Sequence, residues 1–143
     1  MNKLLFITNL LMGSVLSRFA ISKLSGWEIS VKAFIEMAHP LGIDPTLFRI
    51  STGVMISIAV LGYIVTAIFS LVKNKPSILN LPFTKWATLT NLFGLLAMLG
   101  ALTAEFSLRV NPKWMLVYIA IGIVILSATN IYILNTQKQI TKN

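Results

Sequence analysis

Six side chains of this chain have the means to do chemistry, and they gather toward one end of its apolar segments: Arg18, Lys23, His39, Arg49, Glu105 and Arg109. A guanidinium or ammonium can donate hydrogen bonds to a carbonyl oxygen, and a carboxylate or imidazole can supply the proton that a reduced carbonyl takes up. His39 is the only histidine and there is no cysteine. A multi-histidine metal or haem centre, a thiol nucleophile, a Cys-ligated cluster and dithiol exchange are therefore excluded, and no metal cofactor is expected.

The elements that must position these groups are written in hydropathy. Four runs, Leu4 to Ser17, Ile50 to Val72, Trp86 to Ala104 and Trp114 to Gln137, contain no Asp, Glu, Lys, Arg or His. About 20 such residues in a helix cross the roughly 30 Å of bilayer hydrocarbon. A charged fraction of 11% against 56% hydrophobic lies far from the soluble norm of about 25% charged. The expected fold is all-α: one integral membrane domain over 1–143, a four-helix bundle with spans near 4–24, 46–72, 84–107 and 113–136. Lys3 ahead of the first run resembles the start of a signal peptide, but no A-x-A site follows, so a retained helix is expected.

Between the first and second spans, Trp27, Val31, Phe34, Ile35 and Ala38 share one helical face while Glu28, Lys32 and Glu36 form an i, i+4 ladder on another. This predicts an amphipathic interfacial helix, ended by Pro40 and Gly42. Asp44-Pro45, Leu81-Pro82 with Thr84, and Asn111-Pro112 mark the starts of the second, third and fourth spans. Small residues at packing spacing, Gly53 with Ser57, Ala97 with Ala101 and Gly100 with Ala104, predict close helix approach. Asn91 and Asn130 fall near mid-membrane, where an amide needs a partner; a helix-to-helix hydrogen bond or a ligand would each serve. Tyr63, Trp86, Trp114 and Tyr118 are read as interfacial anchors or core.

Four spans put both termini on one side with the connection Lys73 to Lys85. That side holds Lys3, Lys73, Lys75, Lys85, Lys138 and Lys142 and no acid; the other holds Arg18, Lys23, Lys32, Arg49, Arg109 and Lys113 with all four acids, Glu28, Glu36, Asp44 and Glu105. Basic residues tie, and counting Arg18 as inside its span makes the termini cytoplasmic, in a bacterial inner membrane. The net charge of +8 is dispersed rather than striped, which points to anionic lipid and away from nucleic acid.

At about 1.5 Å per residue, Arg18 stands roughly 22 Å above Lys3 and Glu105 roughly 30 Å above Lys85. An Arg18–Glu105 pair between the first and third spans is therefore expected. Two alternatives stand beside it: Arg18 extends to the surface instead, or Glu105 pairs with Arg109 one turn later. Lys23, Trp27, His39 and Arg49 are expected at the rim of the same polar cluster.

The order of Gly13, Lys23-Leu24, Trp27, Pro40-Leu41-Gly42-Ile43 and Thr52-Gly53-Val54 resembles the DoxX-like family of small four-helix membrane proteins. The resemblance covers the first half through these residues, and the second half by hydropathy and order. Ala20 and Met55-Ile56 depart from the family pattern. The resemblance implies a membrane subunit associated with a redox complex, as in the small subunit of a thiosulfate:quinone oxidoreductase, with a quinone or another lipophile, or a partner, bound in the outer half of the bundle. Other membrane subunits or further copies of the chain are the partners it implies. The competing expectations are a non-catalytic accessory subunit and, third, a small-solute transporter; whether the chain is an enzyme stays open.

Overall fold

The computed structural model describes residues 2–73, 75 and 77–140, the last four by backbone alone; Lys142 and the Lys138 side chain lie outside the described residues. Among the described residues, five α-helices follow one another: α1 (Asn2–Leu24), α2 (Glu28–Ala38), α3 (Pro45–Ser70), α4 (Phe83–Ser107) and α5 (Trp114–Ile140), with one 3-10 turn, His39–Leu41, after α2. Asp44 caps α3, its carboxylate accepting the Leu47 N–H at 2.6 Å just ahead of Pro45. Pro82 takes the cap position of α4, where Thr84 plays no capping part.

α1, α3, α4 and the Trp114–Thr136 portion of α5 are each long and apolar enough to cross a membrane. Only 28–39% of each apolar window is buried inside the bundle. Most of that apolar surface therefore faces outward, which is tolerable against lipid and not against water.

The long helices run alternately up and down. Gly13 of α1 lies beside Ile64, and Gly53 of α3 beside Leu24, so α1 and α3 are antiparallel and closely packed. At Gly94 of α4, an added Cβ would fall 1.8 Å from the Tyr63 hydroxyl oxygen; the glycine makes the space that the fully buried Tyr63 ring occupies. Gly100, by contrast, faces open space, and within this chain no neighbouring helix packs on it. Met12, Leu16, Ile56, Tyr63, Met98 and Ile123 form the main core, and Leu5, Phe83, Ala87 and Leu134 a second one near the termini.

α2 packs against α3 through Phe34 and Phe48, whose rings meet edge-on at 5.0 Å. Its buried face is Ser30, Phe34, Met37 and Ala38. Of the expected apolar face, Phe34 and Ala38 are buried against the bundle, while Trp27 and Ile35 are 43% and 54% exposed. The helix is rolled so that Phe34 can reach Phe48, which leaves those two apolar residues pointing away from the bundle.

Candidate functional site

All four acids of the chain lie toward the end of the bundle opposite the termini, and two of them organise it. α4 stops at Ser107, so the connection to α5 carries backbone N–H groups that no helix satisfies. Glu105 and Glu36 supply the acceptors. Glu105 Oε1 takes the Lys113 N–H at 2.6 Å and the Arg109 Nη1 at 2.7 Å. Glu36 Oε1 takes the Val110 N–H at 3.0 Å, and its Oε2 takes Arg109 Nε at 3.3 Å. The Arg109 side chain is 7% exposed and that of Glu105 10%. One guanidinium thus sits between two carboxylates and ties α2, α4 and the start of α5 together. The Val110 N–H bond, with the Arg109 charge beside it, holds the Glu36 carboxyl below its ordinary pKa against an opposing push from desolvation.

A cleft of about 510 Å³ opens beside this clamp. Ile35, His39 and Pro40 line it from the α2 side, and Ser107, Leu108 and Val110 from the end of α4; Glu36 and Arg109 line it as well. A smaller hollow of about 230 Å³ lies at the terminal end, between Thr84, Lys85 and Thr88 of α4 and Leu134 and Asn135 of α5.

The expected Arg18–Glu105 pair does not form. Glu105 meets Arg109 on its own chain segment, which needs no interhelical reach, and Arg18 is exposed on α1 with no ion pair to it. Lys23 is half-buried, with its ammonium 5.6 Å from the Phe19 ring centroid and 5.7 Å from that of Phe34. Arg49 donates a hydrogen bond to the Lys23 carbonyl, so a cation closes the C-terminus of α1, where the helix dipole favours one. Gly26, at φ +66°, lets that guanidinium pass close to the backbone. His39 is exposed at the start of the 3-10 turn and faces the cleft. The structure therefore brings Glu105, Arg109 and His39 to one place, sets Lys23 and Arg49 at the end of α1, and leaves Arg18 apart.

Glu36 was missed as a site residue. It sits on the α2 ladder by spacing, and Lys32 does pair with Glu28 at 2.6 Å. Glu36 instead meets a residue 73 positions later; no local pattern announces such a contact.

The amides expected near mid-membrane bond helix to helix. Thr8 donates to Asn130 Oδ1 at 2.9 Å, Asn130 to Asn91 Oδ1 at 2.9 Å, Asn91 to Asn9 Oδ1 at 3.2 Å, and Asn9 to the Leu5 carbonyl at 2.8 Å. Thr8 and Asn9 were not anticipated. Above them the Tyr63 and Ser127 hydroxyls meet at 2.8 Å, beside the Met12 sulfur. Of the four aromatic residues read as anchors or core, Tyr63 is core, while Trp114 and Tyr118 are 60% and 67% exposed. Among the described residues, Trp86 Nε1 is the one buried side-chain polar atom without a partner.

Chemically, the Asn9, Asn91 and Asn130 amides are committed to one another, and both Glu36 oxygens and Glu105 Oε1 are used on the connection they hold. What is open to a visitor is the cleft, with an imidazole, a shielded ion pair and an apolar lining. Compared with family models, curated proteins and solved structures, the chain matches none.

Proposed function

We propose that the chain is a small DoxX-like membrane subunit that associates with a redox membrane complex and takes a lipophile, or a segment of its partner, into the cleft beside the Glu36–Arg109–Glu105 clamp. The observation that carries this reading is an open surface hollow of about 510 Å³, where apolar Ile35, Pro40, Leu108 and Val110 meet polar His39, Glu36 and Arg109. A quinone headgroup suits such a place, its carbonyl accepting from His39, which would also supply a proton on reduction. The electrons would come from the partner. Both termini are then cytoplasmic, in a bacterial inner membrane, and α2 lies in the headgroup layer with Trp27 and Ile35 toward lipid.

The second reading is a non-catalytic accessory subunit, and it is favoured by the saturation of the clamp. A guanidinium already shared by two carboxylates is arranged to hold a loop, not to react.

Purification from native membranes in mild detergent separates the two. A lipophile extracted with the wild-type protein and lost from Val110→Asp, a position 85% exposed in the cleft wall, supports the first. A larger complex without lipophile supports the second. Recovery of the chain alone, with neither, overturns both.

A further inference from the structure

At the end of the bundle opposite the clamp, the connection between α3 and α4 folds into a small hairpin. Ile78 and Leu81 exchange two backbone hydrogen bonds of 2.9 Å each. The two residues between them, Leu79 and Asn80, both have positive φ, +49° and +62°. This is the primed turn that suits Asn, Asp or Gly, and Asn80 fits it. Leu79 does not: a leucine with positive φ is uncommon, and this one is 80% exposed at the tip.

The root of the hairpin is fixed. Ile78 packs on the core formed by Leu5, Phe83, Ala87 and Leu134. The Lys75 ammonium lies 3.2 Å from Asn2 Oδ1 and 4.8 Å above the Phe83 ring centre. The tip itself, at Leu79, stays exposed. Around it Lys3, Lys73 and Lys85 are exposed, and every Asp and Glu of the chain lies toward the other end.

We propose that this hairpin is a membrane-contact device: Leu79 enters the headgroup–acyl boundary of the adjacent leaflet, and Lys3, Lys73 and Lys85 engage the phosphates of anionic lipids. Charge complementarity selects the occupant. A cationic, acid-free surface around one apolar tip matches an anionic leaflet, where basic residues add to the hold of a single buried side chain. Leucine at this position sets an apolar side chain at the tip, which asparagine or glycine would not do. The inference is independent of the cleft at the other end.

The chain has no cysteine, so Leu79→Cys gives one labelling site in these 143 residues. An environment-sensitive fluorophore there, in nanodiscs of phosphatidylcholine with and without phosphatidylglycerol, should be quenched by spin-labelled acyl chains and protected from aqueous iodide. The same label at the exposed neighbour Ser77 should be open to iodide. With Leu79 intact, spin-labelled phosphatidylglycerol should be enriched around the wild-type protein, and less so around Leu79→Ser. Lys73→Gln and Lys85→Gln should each lower that enrichment about fivefold. Equal iodide access at 79 and 77 in both lipids overturns the proposal. So does protection of position 79 without acyl-chain quenching, which would mean a protein covers the tip instead.

Discussion

Glu105 and Arg109 meet at 2.7 Å one helical turn apart, and the same carboxylate oxygen also receives the Lys113 N–H at 2.6 Å. The acid therefore holds both a charge and a backbone turn. Its helix, α4, ends two residues later, so the pair converts a helix end into a fixed connection. The relation to Glu36 extends that hold to α2.

Arg109→Ala should be among the more damaging single changes in the bundle. It strands two carboxylates, one of them 10% exposed, and breaking such a buried pair costs about 3–5 kcal/mol. Arg18→Ala, on an exposed position, should stay within about 0.5 kcal/mol. Unfolding of both variants in a common detergent checks this; equal losses would return Arg18 to the cluster.

Acid should loosen the clamp through Glu36. Its carboxyl titrates below its ordinary value of 4.5 because the Val110 N–H and Arg109 stabilise the ionised form. The sign follows from linkage: the stabilisation is fully present above pH 4.5 and is lost as pH falls through the lower folded value. The melting temperature of Glu36→Gln should sit below wild type at neutral pH and converge with it in acid. Parallel curves would sink the assignment.

Asn91 should matter more than a single hydrogen bond between membrane helices. It bridges Asn9 and Asn130, each fully buried, and individual interhelical bonds of this kind average about 0.6 kcal/mol. Asn91→Leu should cost about 1–2 kcal/mol, and the double mutant with Asn130→Leu should lose less than the sum of the two single losses. Additive losses would mean the amides act separately.

Gly94→Ala should destabilise and Gly100→Ala should not. The first places a methyl 1.8 Å from the Tyr63 hydroxyl, while the second meets nothing within 4 Å. Overpacking of this sort costs about 1–3 kcal/mol. Tyr63→Phe should recover part of the Gly94→Ala loss by removing the nearest atom. No recovery would place the strain elsewhere.

The long helices were legible because lipid-facing length is a property of composition alone. The span expected near 84–107 is α4, Phe83–Ser107, and that near 46–72 is α3, Pro45–Ser70. Asp44-Pro45 announced its cap for the same reason: the motif is local. The partner of Glu105 was legible only as one of two alternatives, since rise per residue gives height and not azimuth. Arg18 has the height and the wrong face. The roll of α2 and the Glu36–Arg109 contact were not legible at all. They depend on how Phe34 seats against Phe48, a contact between helices that no spacing along either one encodes.

The amide chain has an order in time as well as in space. It leaves α1 at Thr8, passes through Asn130 of α5 and Asn91 of α4, and returns to α1 at Asn9 and the Leu5 carbonyl. α5 follows α1 and α4 in the chain. Before it is in place, Asn91 Oδ1 lacks the Asn130 amide and the Thr8 hydroxyl is left with the Leu4 carbonyl of its own helix. The seam therefore closes only when α1, α4 and α5 are all assembled, so the last of them to dock is held by polar groups that the other two leave open.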